Sequence, residues 1–242
     1  AGYQAAEQVV AALTGGTVTS ADNAPAVAGE DLEALGPFLP LAANLGRIAA
    51  ALTDGTTVDA IEVEVLGRLA ERDTRLITVQ VLKGVLAGHT EEEVNDVNAP
   101  TLADERGIAV SSTTSERARD FTDLVRVTVV SGDDRSRVVG TVLGNRDRPH
   151  LLEAWGSRFN VQLEPSLAIF RYRDQPGMIG RVGTALGDAG VNIVSAAVGR
   201  QPDGADRGEA VMVVTADSRV PQEVVESIVG SDGFIAGRSV TL

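Results

Sequence analysis

The sequence predicts an α+β protein: a helix and connector in residues 1–22, an α+β region over residues 23–164, and a C-terminal β-α-β-β-α-β module over residues 165–242. Three observations carry this. Ile61, Val63 and Val65 alternate with Glu62 and Glu64, the period of a half-buried strand, while Leu76 to Leu86 is apolar at helical length. From Leu167 onward a strand runs into Asp174-Gln175-Pro176-Gly177, a helix with Met178, Ile179, Val182, Ala185 and Leu186 at helical spacing, Gly190, and Val191-Asn192-Ile193.

Taken in order, Gln4 to Leu13 forms a helix whose Ala5, Val9, Val10 and Leu13 make one apolar stripe, stopped by Gly15-Gly16. Loop formers then dominate as far as Gly29. A helix spans about Leu41 to Leu52, Asp54-Gly55 turns it, and the strand of Thr57 to Leu66 follows. After the Leu76–Leu86 helix come a Pro-interrupted helix in Val94 to Ala109, a polar loop through Ser111 to Glu116, and a hairpin of Phe121–Val130 with Arg137–Leu143 joined at Gly132-Asp133. In the last module, Gly199 to Gly208 is a polar turn and Glu209 to Thr215 a third strand. Pro221 opens a helix with Val224, Val225 and Ile228 on one face, and Phe234, Ile235 and Val240 close the chain as a fourth strand.

Composition narrows the function classes. A formal charge of -13 argues against nucleic acid or an anionic membrane as the main partner. The absence of cysteine removes thiol catalysis, disulfides, cysteine-ligated zinc and self-contained iron-sulfur clusters. No apolar run approaches the roughly 20 residues of a membrane span. Ala1-Gly2-Tyr3 carries neither an initiator methionine nor a signal-peptide pattern, so a cytoplasmic piece of a longer polypeptide is expected.

Leu167 to Ile193 resembles the opening of an ACT domain, a ferredoxin-like module that typically binds free amino acids. A second stretch, Val97-Asn98-Ala99-Pro100-x-Leu102-Ala103-x-Glu105-Arg106-Gly107-Ile108, is similar to one in the intervening domain of long-form D-3-phosphoglycerate dehydrogenases. The order of parts matches as well, and Ala5 to Leu13 resembles the final helix of that family's catalytic half. The resemblance implies the regulatory region of an enzyme of L-serine biosynthesis, acting as a homodimer or homotetramer. It also implies that NAD and the Arg/Glu/His substrate set belong to a half not seen here. The one glycine cluster that looks similar to a dinucleotide loop, Gly180-Arg181-Val182-Gly183, falls inside a helix. No catalytic residue, metal ligand or cofactor site is therefore expected, and no dehydrogenase activity from the chain alone.

Two sets of residues are candidates for ligand binding. His89 follows the Leu76–Leu86 helix, where an imidazolium suits the helix dipole, and is assigned to capping. Arg146, Arg148, His150 and Arg158 cluster in an otherwise acidic chain, as a solvated face or as a phosphate or carboxylate site. In the resembling dehydrogenases the intervening domain binds the phosphorylated substrate as an effector. The matching positions here are His150 and Gln162, where relatives have lysine and arginine, so phosphate or phosphohydroxypyruvate would depend on histidine protonation.

The ACT resemblance implies an amino-acid site, for L-serine or another small amino acid, at Tyr172, Asp174 and Asn192; some relatives have His and Asn at the first two positions. Asp174 suits an α-ammonium, Asn192 both donates and accepts, and backbone N–H groups at Gly177 and Met178 suit a carboxylate. A helix from Gly177 to Ala189 is about 20 Å long, so one copy cannot supply both Asp174 and Asn192 to one ligand. Two copies side by side in a two-fold arrangement can. Two other readings are a regulatory chain of an iron-sulfur L-serine dehydratase and a non-enzymatic oligomerisation module. The Asn98-Ala99-Pro100 segment and the leading helix favour the first reading over the dehydratase.

Overall fold

A computed structural model describes residues 29–55, 57–87, 93–118, 120–200 and 208–242. The helix expected over residues 4–13, and His89, lie outside these. The chain divides into two compact units, the first ending at Ser136 and the second beginning at Arg137. The strands after Ser136 build onto the C-terminal module within the second unit.

In the first unit α1 (Gly29–Leu35) leads into α2 (Phe38–Leu52), which packs on α3 (Arg75–Leu86). Two glycines make that approach possible. A Cβ on Gly46 would stand 2.4 Å from the Val81 carbonyl oxygen, and one on Gly84 would stand 2.0 Å from that of Ala43. The helices touch backbone to backbone, burying Leu41, Leu45, Ile48, Leu52, Leu76 and Ile77 completely. Among the described residues no single helix is long and apolar enough to cross a membrane.

Strand β1 (Ala60–Gly67) lies between β2 (Ala109–Ser115), parallel to it, and β3 (Asp123–Ser131), antiparallel to it. Ile61, Val63 and Val65 face inward opposite Val129, Val127 and Val125. Glu64 and Glu62 hold Arg126 at 2.6 Å and Arg135 at 2.7 Å, which is the wet face that the alternation predicts. The expected loop at Ser111 to Glu116 is instead the edge strand β2. Its side chains are exposed along its length, so they carry no apolar alternation, and only pairing with β1 makes it a strand. The Pro-interrupted helix is α4 (Ala99–Glu105), ended by Gly107 at φ 69°.

The segment entering α4 bonds to itself. Asn95 Oδ1 accepts the Val97 and Asn98 N–H groups, and Asn98 Oδ1 accepts the Asn95 N–H at 2.7 Å. Asp96, fully buried, accepts from Gln80 at 2.9 Å and Lys83 at 3.2 Å, pinning the segment to α3. The resemblance-bearing motif of this unit is thus architectural.

In the second unit the strand order is β4-β5-β6-β8-β9-β7-β10. Strand β4 (Asp134–Leu143) pairs with β5 (Arg148–Ala154), and β5 with β6 (Ser157–Gln162), a strand pair that the sequence pattern did not announce. Trp155 and Gly156 join them at φ 46° and 75°, both positive as a two-residue hairpin of this twist requires. The C-terminal module follows as β7 (Ser166–Arg173), α5 (Met178–Asp188), β8 (Ile193–Arg200), β9 (Glu209–Ala216), α6 (Gln222–Val229) and β10 (Phe234–Thr241). Both helices cover one sheet face, where Phe170, Met178, Val182, Leu186, Met212 and Val225 form the core. Gly177 at φ 92° and Gly190 at φ 73° bracket α5 as expected.

Candidate functional site

Asp174 follows the end of β7, two residues past Tyr172 and three before Gly177, the N-cap of α5, whose first N–H groups have no side-chain cap. Its own N–H donates to the Gly208 carbonyl at 2.6 Å. Arg200, at the far end of β8, grips the carboxylate with Nε at 2.5 Å from Oδ2 and Nη2 at 3.3 Å from Oδ1. No reading of the sequence assigned Arg200. The only signal for it was a basic residue two strands away, and the register pairing both Tyr172 and Arg200 with Ala210 is what brings it to Asp174.

Tyr172 is not a free ligand arm. Its side chain is 2 % exposed and packs on Phe234 with ring centroids 5.8 Å apart. Burial pushes its phenol above the ordinary range; the Asp174 carboxylate adds to this and Arg200 opposes it. The ring belongs to the core, and the hydroxyl lies within the field of the Asp174–Arg200 pair. Met178 is likewise a core side chain, so only its backbone can serve a ligand. Arg200 is held in its charged form by the bond to Asp174.

Asn192 stands just before β8, at the opposite end from Arg200, and donates to Asp217 Oδ2 at 3.2 Å. Eight strand residues separate the two ends by about 25 Å. The structure therefore gathers Tyr172, Asp174 and Gly177 and leaves Asn192 apart within one copy. A groove of about 580 Å³ between α5 and α6 begins at Gly177 and runs past Arg181, Thr184 and Ser227 to Asp188.

The basic cluster is divided. Arg146 and Arg148 are exposed around the β4–β5 turn. His150 faces Gln162 across the β5–β6 pair, and its Nδ1 lies 2.6 Å from Asn160 Oδ1. Gln162 donates to Glu164 at 2.8 Å. Arg158 is opposite Glu153, 3.9 Å away, while Arg137 takes the other oxygen of Glu153 at 2.6 Å. Arg158 therefore lies toward β8 rather than beside His150.

Among the described residues no His, Cys, Asp or Glu side chains gather in threes as a metal site. Gly180 and Gly183 lie within α5 and form no open loop, so a dinucleotide does not fit there.

Residues 34–153 match the model of the D-3-phosphoglycerate dehydrogenase intervening domain, and residues 166–229 that of the ACT domain. The chain is 38 % identical to a D-3-phosphoglycerate dehydrogenase of Methanocaldococcus jannaschii over 94 % of its own length and 42 % of the relative's. It is 33 % identical to those of Mycobacterium leprae, over 96 % and 43 %, and Archaeoglobus fulgidus, over 98 % and 44 %. The chain thus spans less than half the length of these relatives.

Proposed function

We infer that this chain, a D-3-phosphoglycerate dehydrogenase intervening domain joined to an ACT domain, serves as the regulatory region of such an enzyme and senses free L-serine. The parent activity would be NAD-dependent oxidation of 3-phosphoglycerate to 3-phosphohydroxypyruvate. The observation that carries the reading is Asp174: a carboxylate three residues before an uncapped helix start, held by Arg200, with a tyrosine hydroxyl in its field. The ammonium of an amino acid pairs with Asp174, and the N–H groups at the start of α5 face anionic oxygen. The relatives named above favour a dehydrogenase over an iron-sulfur dehydratase.

A second copy completes the site by bringing its Asn192 to Asp174. Because Arg158 of the same chain already pairs with Arg200 on the edge of β8, the second copy approaches over the helix-covered face beside that edge. Exposed apolar side chains support this approach, Ile179 on α5 at 60 % and Val198 on β8 at 38 %. Ligand binding is then coupled to the relation between copies, which is the requirement for allostery.

Calorimetry with L-serine tests the reading. Asp174→Ala and Asn192→Ala should each weaken binding by about five- to 150-fold, the equivalent of roughly 1–3 kcal/mol for one lost polar partner. In a mixed dimer with both substitutions on one chain, both shared sites should be lost. One intact site per mixed dimer would show that each copy binds alone. A second ligand, phosphate or phosphohydroxypyruvate, is assigned to Arg148 and His150.

A further inference from the structure

The junction of β6 and β8 sets two arginines side by side. Arg158 and Arg200 are partners across an antiparallel pair, so their Cα atoms are about 4.5–5.5 Å apart and their side chains leave the same face. The strands touch closely here: a Cβ on Gly199 would stand 2.3 Å from the Arg158 carbonyl oxygen. Both side chains reach solvent, at 51 % and 72 % exposure.

Among the described residues, no acid lies between the two. Arg200 turns to Asp174, and Arg158 only approaches Glu153, whose other oxygen is held by Arg137. Across the strands the row reads Asp174, Arg200, Arg158, Glu153, Arg137, with its two like charges adjacent at the centre. Like charges directly opposite on a sheet are destabilising, and among the described members of this row positive charge exceeds negative.

We propose that Arg158 and Arg200 form an oxyanion subsite adjoining Asp174, which takes a carboxylate or phosphate of the amino acid whose ammonium group rests on Asp174. This rests on the amino-acid reading above and names the groups that select the ligand. An arriving ammonium replaces Arg200 on Asp174, and the released guanidinium joins that of Arg158 on one oxyanion. For a zwitterion the exchange conserves charge at every partner. Because Arg158 belongs to the β5–β6 hairpin and Arg200 to the ACT domain, the same ligand fastens one to the other.

The test is calorimetry on the full chain with L-serine, O-phospho-L-serine and L-serinamide, the last lacking a charged carboxylate. Arg158→Gln should weaken at least one of the two oxyanion-bearing ligands by about ten- to 150-fold and leave L-serinamide unchanged, and Arg158→Lys should recover part of the loss. A loss with L-serine assigns the α-carboxylate to the pair; a loss confined to O-phospho-L-serine assigns the side-chain phosphate. The ligand-free melting temperature should stay within about 2 °C, as for an exposed substitution. If all three ligands bind Arg158→Gln as they bind the parent chain, the subsite is wrong; the amino-acid reading then stands if Asp174→Asn weakens them and falls if it does not. A larger fall in melting temperature with equal loss of all three, L-serinamide included, makes Arg158 structural only and overturns the subsite. If none of the three binds the unaltered chain, the amino-acid reading falls and the subsite with it.

Discussion

Gly199→Ala should pull β6 away from β8 and part Arg158 from Arg200. Gly199 is not in the left-handed region, so alanine meets no backbone strain of its own; the conflict is one of space. Its Cβ would stand 2.3 Å from the Arg158 carbonyl oxygen and 2.8 Å from Phe159 Cδ1, where ordinary contact begins at 3.4 Å. Strand β6 must therefore retreat by about 1 Å at Arg158, enough to stretch a hydrogen bond beyond its working range. Overpacking of this kind costs about 1–3 kcal/mol and the strained bridge about 1 kcal/mol more. The stiffer unfolded chain returns roughly 0.4–1 kcal/mol, leaving a net loss of about 1–3 kcal/mol. At about 2–4 °C per kcal/mol for a chain of this size, the melting temperature should fall by roughly 2–12 °C. Amide exchange should quicken in residues 157–162 and 198–200, and affinity should drop for whichever oxyanion-bearing ligand Arg158→Gln weakens. A matched control is Gly183→Ala in α5, where a Cβ meets nothing within 4 Å and helix propensity should stabilise by about 1 kcal/mol. An unchanged melting temperature with undiminished protection of β6 would refute the reasoning, because the two strands would then have slack that the geometry denies.

The helix pair of the first unit admits a similar test. Gly84→Ala gains about 1 kcal/mol of helix propensity but places a Cβ 2.0 Å from the Ala43 carbonyl oxygen, an overpacking cost of about 1–3 kcal/mol, so denaturant unfolding should show a net loss of up to about 2 kcal/mol. Tyr172 governs the alkaline side of stability. Its phenol titrates higher folded than unfolded, so its contribution is complete below about pH 10, the ordinary phenol value, and is lost as pH rises through the folded value. Tyr172→Phe should flatten that alkaline limb in a pH series of melts, and an unaltered limb would mean the phenol is freely solvated. Phosphate binding at the β5 hairpin should weaken about five- to 150-fold with Arg148→Ala and with His150→Ala, read by calorimetry at one fixed pH; affinity unchanged by both would leave Arg148 as a solvated charge.

The sequence alone determined whatever depends on local periodicity and turn chemistry. Alternation placed β1 and its wet face of Glu62 and Glu64, the glycines at 177 and 190 bracketed α5, and the β-α-β-β-α-β order was legible because each of its elements has its own apolar period. Asp174 was legible too, since its place between a strand and a helix start is set within a few residues. Elements whose cause is not local escaped. Strand β2 has seven exposed residues and exists because β1 offers it an edge; β5 and β6 turn at Trp155, a residue that no turn rule favours at positive φ. Tertiary structure also reassigned the site residues. It sank the Tyr172 ring into the core against Phe234, sent Arg158 toward β8 rather than His150, and brought Arg200 to Asp174 across 26 residues of chain. The physical reason is the same in each case: side-chain pairing between strands is fixed by register, and register is a property of the whole sheet that no short window of sequence contains.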